Sequence, residues 1–431
     1  MNRVLILHYH EIWLKGGNKN YFLSRLIDAV KRSLADLPVQ SLQFVAERLV
    51  LYTRDETALP QILDRLRRVF GLAYIASARV VPNNVTSMGA MACELMVEKD
   101  PRNFAVRAKI ADSQFEMNSM ELERALGRLV LDHLRARRSD VQVRLQNPEA
   151  TCWVEIVPGQ AFLYTDRSEG AGGLPAVTAG RLVAMLSGGF DSAVAAYKMM
   201  RRGAHVTFVH FASSGSPSRG PSLPVAEQLV RVLTPYQFTS RLYTIPFEAI
   251  QRQVVVNAHE RFRLLLYRRL MVRITREIST VERALGLVTG DSVSQVASQT
   301  LHNLAAIEHG LGLPVYRPLA GDDKAEILRV AREIGTYGIS CEPFEDCCPR
   351  FMPRAPAIFS NPAQLAAAES SLDVEGLITQ GLEGAGVRDF TFAAGEISLR
   401  EGLPHRFQKL IAQRQRSAIP PPVAPPVPAE M

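Results

Sequence analysis

The sequence predicts a multidomain α/β protein whose largest part is a doubly wound parallel sheet. Two small α+β patterns come first, and a loop rich in glycine and proline follows them. Short apolar strands then alternate with helical segments, which is typical of a parallel sheet covered by helices on both faces. We place the domains at 1–80, 81–165 and 181–385, with a linker at 166–180 and a C-terminal extension at 386–431 that ends in a disordered, proline-rich tail.

The composition is that of a soluble globular protein. The chain has 431 residues, of which 47% are hydrophobic and 22% charged, so a mostly disordered chain is excluded. No uncharged apolar stretch reaches the roughly 18 residues of a membrane-spanning helix. The N-terminus lacks the long apolar segment of a secretory signal. We expect a cytoplasmic protein with no membrane partner.

The charge permits a nucleic-acid partner without demanding one. The net charge is +7 and the sequence pI is about 9.2. Because the excess is spread along the chain, any nucleic-acid site must be a folded surface rather than a basic arm.

The cysteines favour thiol chemistry over a structural role. Their odd number, five, argues against a disulfide framework, and no pair has zinc-ligand spacing. Three of the five lie within eight residues, from Cys341 to Cys348, whereas Cys93 and Cys152 sit inside apolar patterns.

Residues 1–80 read as a ferredoxin-like unit. The patterns predict a strand at 4–8, a helix at 21–34, a strand at 42–52 and a helix at 59–69. The order β-α-β-α suits helices layered on one face of a sheet.

Residues 81–165 read as a second α+β unit. Residues 104–110 alternate as a strand does, and Asn118 with Glu121 forms a capping-box signal before an apolar helical stripe. The opposite helix face carries Arg124 and Arg128. That face is either simply solvated or turned toward phosphates.

The strongest local signal is the segment Met185-Leu-Ser-Gly-Gly-Phe-Asp-Ser192. It follows an apolar strand at 182–186, and a helix at 193–202 comes after it. Adjacent glycines let backbone N–H groups approach an anion, Ser187 and Ser192 add hydroxyl donors, and the helix adds its dipole. The segment is not a Walker A loop, so it is either a different phosphate loop or an ordinary glycine-rich turn.

This segment resembles the pyrophosphate loop (PP-loop) of ATP pyrophosphatases, which transfer AMP to a substrate. In those enzymes the position of Asp191 orients the phosphates or helps to hold Mg²⁺. The resemblance implies ATP and Mg²⁺ as cofactors of this chain.

Most of the chain is similar to the tRNA 4-thiouridine synthetase (tRNA sulfurtransferase, ThiI) family. The resemblance is carried by collinear motifs: His10-Glu-Ile-Trp-Leu-Lys-Gly-Gly-Asn18, Phe104-Ala-Val-Arg-Ala108, Gly172-Gly-Leu-Pro175, Val288-Thr-Gly-Asp291, Gln295-Val-Ala-Ser-Gln-Thr300, Arg317-Pro-Leu319 and Arg332-Glu-Ile-Gly-Thr336. It implies a ferredoxin-like domain, an RNA-binding THUMP domain and a PP-loop domain. It also implies a two-step reaction, in which ATP adenylates O4 of uridine 8 in tRNA and persulfide sulfur then displaces AMP.

The resemblance implies the site residues. Asp191 and either Cys347 or Cys348 are the expected catalytic residues. The expected ATP-binding residues are Met185, Leu186, Ser187, Gly188, Gly189, Ser192, His210, Phe211, Arg268, Gly290 and Gln299. The expected tRNA-binding residues are Arg107, Lys109, Arg124 and Arg128. Arg268 belongs to a run of six arginines within residues 261–276, which is either a solvated basic face or close to ATP and tRNA phosphates.

The segment Glu345-Asp-Cys-Cys348 resembles the catalytic-cysteine segment of the family. Counting from the preceding helix favours Cys347, and counting back from the following prolines favours Cys348. No cysteine follows Cys348, so we expect the form without a rhodanese domain, with sulfur delivered by a cysteine desulfurase. A role in thiazole synthesis, which depends on that domain in some relatives, stays open. The family also suggests a homodimer.

Two alternatives stay open beside the sulfurtransferase. One is a PP-loop enzyme that adenylates a different tRNA base, which the clustered cysteines and the THUMP-like segment disfavour. The other is a catalytically silent tRNA-binding protein, which the intact loop from Ser187 to Ser192 disfavours.

Overall fold

The structure is a computed structural model that describes residues 3–212, 220–345 and 356–418. It divides into two compact units, residues 1–175 and residues 176–431. Within the described ranges, no helix combines the length and apolar character needed to cross a bilayer.

The first unit is a curved mixed sheet with four α-helices. Its strands are β1 (Arg3–His8), β2 (Val39–Val45), β3 (Arg48–Thr53), β4 (Tyr74–Val81), β5 (Asn103–Ile110), β6 (Gln142–Val143), β7 (Ala150–Val157), β8 (Gln160–Tyr164) and β9 (Arg167–Glu169); its helices are α1 (Lys19–Ser33), α2 (Leu59–Leu66), α3 (Val85–Lys99) and α4 (Ser119–Arg135).

One hydrogen-bonded sheet runs through both predicted α+β units. Its strand order is β2-β3-β1-β4-β8-β7-β5-β6, and β9 also pairs with β4. The predicted strand 4–8 and helix 21–34 are confirmed as β1 and α1. The predicted capping box is present at the start of α4, where Asn118 and Glu121 each accept a backbone N–H of the other.

The prediction of a single strand at 42–52 is wrong. The chain turns there, and β2 and β3 form an antiparallel hairpin. Ala46 and Glu47 at the turn have φ of 44° and 67°. Tight hairpin turns need positive φ and usually use Asn or Gly for it. The Ala-Glu pair therefore left no turn signal in the sequence.

The sheet face turned away from α3 and α4 has a hydrophobic core of its own, which we call the second core. It contains Val4 and Ile6 of β1, Val50 of β3 and Phe162 of β8, all fully buried. Because side chains alternate along a strand, His8, Arg48 and Glu155 point into this same core. The two halves of the sheet are thus packed against each other.

A cluster of buried charged side chains lies within this second core. Glu155 is 3% exposed and lies 2.9 Å from His8 Nε2 and 2.8 Å from Arg48 Nε. The Tyr164 hydroxyl donates to Glu155 at 2.7 Å. Burial by itself would raise the pKa of Glu155, but His8 and Arg48 hold that pKa at about 2. The carboxylate is therefore charged, and its partners lie on β1 and β3.

The substitution Glu155→Gln is expected to destabilise the first unit by about 3–5 kcal/mol, because it leaves Arg48 buried without a counter-charge. Urea unfolding followed by tryptophan fluorescence measures this unit, since Trp13 and Trp153 are the only two tryptophans. Glu98→Gln is the control, because Glu98 pairs with Arg79 from a side chain that is itself 51% exposed.

The same variant gives a pH signature. The native pKa of Glu155 lies below its ordinary value of 4.5. Its stabilisation is therefore complete above pH 4.5 and is lost as the pH falls toward about 2. The wild-type stability should fall across that window more steeply than that of Glu155→Gln. Parallel curves would show that the carboxylate is not the group that matters.

The second unit has a largely parallel sheet between helices. Its strands are β10 (Arg181–Met185), β11 (His205–Ala212), β12 (Thr239–Pro246), β13 (Leu287–Val288), β14 (Val315–Tyr316), β15 (Gly386–Ala393) and β16 (Glu396–Glu401); its helices are α5 (Phe190–Arg201), α6 (Leu223–Leu233), α7 (Glu248–Asn257), α8 (Arg263–Glu282), α9 (Leu301–Glu308), α10 (Lys324–Glu333), α11 (Tyr337–Ser340), α12 (Pro362–Glu369), α13 (Val374–Glu383) and α14 (His405–Ala418).

The predicted doubly wound fold is confirmed. The strand order is β14-β13-β10-β11-β12-β15-β16, and the first five strands are parallel. The order reverses beside β10, so the carboxyl ends of β10, β11 and β13 open onto one crevice. Strands β15 and β16 add an antiparallel edge to this sheet, within the stretch that the sequence assigns to a C-terminal extension.

Candidate functional site

A cavity of about 350 Å³ lies at the carboxyl ends of β10, β11 and β13. Nine residues singled out from the sequence line it, together with eight others. The nine are Met185, Leu186, Ser187, Asp191, Ser192, Phe211, Arg268, Gly290 and Gln299; the others include Thr289, Asp291, Val296, Ala297, Ser298 and Pro356. The doubly wound fold therefore gathers three separate sequence motifs around one concave site.

The loop between β10 and α5 is closed by its own serines. The Ser192 hydroxyl accepts the Ser187 N–H at 3.1 Å, and the Ser187 hydroxyl accepts the Gly189 N–H at 3.2 Å. Ser192 Oγ also lies 3.2 Å from the carbonyls of Ser187 and Gly189. Gly189 is the N-cap of α5 and has no side chain to occupy the helix N-terminus. The loop is therefore fixed in place, and the positive end of α5 stays open for an anion.

Glycine is required by close packing at two positions of the site. A Cβ atom on Gly188 would overlap the Phe344 ring. A Cβ atom on Gly290 would stand 2.6 Å from the backbone N of Ser192. Gly290 thus lets the turn after β13 lie directly against the first turn of α5.

Asp191 faces a cation that the sequence analysis missed. Lys324, at the start of α10, places Nζ 2.8 Å from Asp191 Oδ1 and 5.2 Å from the centre of the Phe190 ring. Gln295 Nε2 lies 3.4 Å from the other Asp191 oxygen. The capping box of Asp323 and Glu326 marks the start of α10 in the sequence but carries no signal that Lys324 reaches Asp191.

Asp291 is the buried anion of the site. It is 3% exposed and accepts hydrogen bonds from Arg268, from Thr289 at 2.8 Å and from Gln299 at 3.0 Å. Arg317 Nε lies 3.4 Å away. Burial opposes the charged carboxylate, yet Arg268 and its other donors outweigh burial and lower the pKa of Asp291. Burial in turn lowers the pKa of Arg317, against the attraction of Asp291.

His210 is placed differently from its neighbours. Its ring is 1% exposed, with Nδ1 2.8 Å from the Leu186 carbonyl and Nε2 2.8 Å from the Ser222 hydroxyl. The side chain therefore holds the end of β10 to the start of α6. It is absent from the described cavity lining, as are Gly188 and Gly189.

Cys347 and Cys348 lie outside the described residues. The residues that precede them lie beside the loop between β10 and α5, because Phe344 packs on Gly188. The Glu345 N–H donates to the Gly220 carbonyl at 3.1 Å. Cys341 is an exposed free thiol.

The other two thiols are shielded. Cys152 is fully buried, and burial raises its pKa to about 12. Burial also raises the pKa of Cys93. A thiol with a raised pKa is a poor nucleophile, which agrees with the inert role expected for both.

Several arginines of the run at 261–276 bind other groups of the protein. Arg269 and Arg273 both pair with Glu369, and the Arg263 guanidinium donates to the Val255 carbonyl at 3.0 Å. Arg269 and Arg273 are therefore directed to the Glu369 carboxylate rather than to a phosphate site. Arg268 alone of the run lines the cavity.

The four residues expected to bind tRNA lie on β5 and α4. Arg107 donates to the Leu145 carbonyl at 2.7 Å and lies 3.7 Å from Glu123. Lys109, Arg124 and Arg128 are exposed, and within the described ranges none of the three forms an ion pair.

Comparison with known proteins matches three family models to the chain. They are the ThiI ferredoxin-like domain at residues 4–76, the THUMP domain at 84–166 and thiamine biosynthesis protein (ThiI) at 177–374. A probable tRNA sulfurtransferase of Thermus thermophilus is 39% identical over 90% of this chain and 94% of its own length. One of Moorella thermoacetica is 37% identical over 88% of this chain and 95% of its own length.

The structural comparison agrees. A crystal structure of a 4-thiouridine synthetase–RNA complex with bound ATP is similar to this chain with a TM-score of 0.76 and 32% identity. The similarity covers 90% of this chain and 100% of that one.

The substitution Gly290→Ala is expected to weaken the ATP binding predicted from the sequence at least tenfold, because the added methyl group pushes the first turn of α5 away from β13. Gly321→Ala is the matched control, since a Cβ there meets no atom within 4 Å. Titration calorimetry with ATP measures both. Equal ATP affinities for the two variants would show that this contact does not position the loop.

Proposed function

The chain belongs to the ThiI family, and we propose that it is an ATP-dependent tRNA sulfurtransferase that converts uridine 8 of tRNA to 4-thiouridine. The observation that carries the proposal is the closed serine–glycine loop at the N-terminus of α5, with Asp191 and Lys324 beside it. The similarity of the whole chain to a synthetase solved with RNA and ATP supports the nature of both substrates.

The first step is adenylation of uridine. O4 of the uracil attacks the α-phosphorus of ATP, the new O–P bond forms, and the bond to the β-phosphate breaks. Pyrophosphate then leaves with added negative charge. The free N–H groups at the start of α5 and the Lys324 ammonium are placed to stabilise that charge. Arg268, fixed by Asp291 and by Ser298 at 2.9 Å, is a cation that lines the cavity itself.

The donor set fits a magnesium ion carried by the phosphates better than a site built by protein alone. No cluster of three or more metal-ligating side chains occurs in the described part of the chain. Mg²⁺ commonly uses one or two carboxylates together with substrate phosphates. Asp291 is occupied by arginines, so Asp191 would be the carboxylate that holds it. The ion would neutralise phosphate charge.

The second step is sulfur transfer from Cys347 or Cys348. The terminal persulfide sulfur bonds to C4 of the adenylated uracil, and AMP leaves with O4. A second thiolate then attacks the carrier cysteine sulfur. The sulfur–sulfur bond breaks, giving 4-thiouridine and a protein disulfide that a cellular thiol reduces. Cys341 is the exposed thiol suited to this attack. A cysteine desulfurase would supply the persulfide.

The first unit would bind the tRNA. Lys109, Arg124 and Arg128 offer unpaired positive charge for phosphates. Arg107 is held by Leu145 and Glu123 and is better suited to shaping this surface than to binding RNA. In the homodimer that we expect, one subunit would present the tRNA to the other.

Nucleoside analysis of cellular tRNA tests the function. Deleting the gene should remove 4-thiouridine, and restoring it should return the nucleoside. Unchanged 4-thiouridine in the deletion strain would contradict the proposal.

Asp191→Ala and Lys324→Ala are each expected to lower tRNA-dependent pyrophosphate release about 100-fold or more, because both side chains face the departing phosphates. The tRNA affinity should change less than twofold, since the proposed RNA surface belongs to the first unit. Glu333→Ala removes an exposed ion pair with Arg329 and is the control. Full adenylation by Asp191→Ala would remove that residue from the mechanism.

Cys347→Ser and Cys348→Ser separate the two candidate carriers. The carrier variant should still transfer AMP to tRNA but should make no 4-thiouridine, because a hydroxyl cannot hold a persulfide. Cys93→Ser is the control thiol. The measurements are pyrophosphate release, which reports adenylation, and 4-thiouridine in reactions that contain a desulfurase and cysteine. Full thiolation by the Cys347/Cys348 double variant would exclude this segment as the sulfur carrier.

A further inference from the structure

We propose that Phe359 and His302 form a stacking platform for the target uracil once that base has left the RNA helix. The proposal rests on the proposed function and adds to it a binding site for the reacting base. We call Phe359, His302 and the neighbouring side chains of Leu301 and Ile358 the platform.

The platform is exposed to a degree unusual for its residue types. Phe359 is 65% exposed, Leu301 66% and Ile358 54%. The rings of His302 and Phe359 meet edge to face, with centroids 5.3 Å apart. Contiguous exposed apolar side chains of this kind mark binding surfaces rather than ordinary protein surface.

The platform is tied to the wall of the nucleotide cavity. Asn303 is fully buried, and its side-chain amide donates to the carbonyl of Ala297 at 2.7 Å and to that of Ala357 at 2.9 Å. The Ser360 hydroxyl donates to the Asn303 side-chain oxygen at 2.7 Å. The Thr300 hydroxyl donates to the Ile358 carbonyl at 2.8 Å. The segments that carry His302 and Phe359 are therefore joined by hydrogen bonds.

The platform also lies close to the reacting atoms. Gln299 and Pro356 line the cavity. His302 and Phe359 each follow one of them by three residues, which limits the Cα separation to roughly 10 Å. A base stacked on the platform would thus lie beside the cavity that we assign to ATP.

The proposed chemistry requires an unstacked base. O4 of a stacked uracil cannot enter a concave cavity while the base stays in its helix, so the nucleotide must turn outward. Single-stranded bases are commonly held on Phe or His rings, which replace the stacking lost in the RNA. An aromatic pair at the cavity rim meets that need.

The charge beside the platform favours RNA over a protein partner. The Ala357 N–H donates to the Arg261 carbonyl at 3.1 Å, which places Arg261 next to this segment. Arg261 is exposed, and no ion pair to it occurs among the described residues. Its guanidinium is therefore available for an RNA phosphate, whereas Arg269 and Arg273 pair with Glu369.

The test uses the full chain with Phe359→Ala, Phe359→Trp and His302→Ala. At saturating tRNA, Phe359→Ala should lower the rate of tRNA-dependent pyrophosphate release about 10- to 100-fold, the range of one lost base–aromatic stack. Its KM for ATP and its Kd for tRNA should change less than twofold. Phe359→Trp should keep at least half of the rate. Val256→Ala, which removes an exposed apolar side chain on α7, should match the wild type.

A fluorescent transcript measures the flipped base directly. 2-Aminopurine is placed 3′ of the target uridine, and an α,β-methylene analogue of ATP stops the chemistry, because its bond between the α- and β-phosphorus positions cannot be cleaved by the uracil. Binding to the wild-type protein should raise the fluorescence as the neighbouring uracil leaves the stack. Phe359→Ala should lose most of that rise while it still binds the transcript. An equal rise in both proteins would overturn the proposal.

Two further outcomes separate a failure of this proposal from a failure of the proposed function. If Phe359→Ala adenylates normally but thiolates slowly with a desulfurase, the surface docks a protein partner and the proposal is wrong. If the wild-type protein itself shows no tRNA-dependent pyrophosphate release, the proposed function fails, whatever Phe359 does.

Discussion

The buried carboxylate of Asp291 is the constraint around which the catalytic unit is arranged. An ionised carboxylate removed from water costs several kcal/mol unless cations and hydrogen-bond donors surround it. Here the donors come from four places: Thr289 after β13, Arg268 on α8, Gln299 before α9 and Arg317 after β14. Satisfying one anion therefore brings four chain segments to one wall of the cavity. Removing Arg268 would leave this carboxylate without its strongest partner, since Thr289 and Gln299 carry no charge.

The two aspartates of the cavity have different environments and suit different tasks. Asp291 is buried and fully engaged, so it fixes the positions of Arg268 and Gln299. Asp191 is partly exposed, and its partner Lys324 is 47% exposed. Exposed pairs are worth about 0–1 kcal/mol, so opening this one costs little. Lys324 can therefore exchange the carboxylate for a phosphate when ATP arrives, while the wall behind it stays fixed.

The first unit also contains a buried carboxylate that is surrounded by cationic side chains. Its ferredoxin-like and THUMP parts share one sheet and a second core, and the His8–Arg48–Glu155 cluster lies within that core. A buried ion cluster tolerates little relative movement of its members, because a displaced partner leaves an uncompensated charge. The exposed cations Lys109, Arg124 and Arg128 are thus carried by a body whose two halves are held together.

The features that could be predicted from the sequence are those set by residues close together in the chain. The loop from Ser187 to Ser192, the capping box of Asn118 and Glu121 and the alternation of strands with helices are local patterns, and local dihedral and hydrogen-bond preferences decide them. The family resemblance, confirmed by relatives that are 39% and 37% identical, rested on such contiguous motifs. Which distant residues meet depends on the folded chain. Lys324 reaches Asp191 across 133 positions, Glu369 pairs with arginines expected to face phosphates, and His210 turns away from the cavity its neighbours line. These pairings follow from sheet topology and from the cost of buried charge, and neither leaves a periodic signal along the chain.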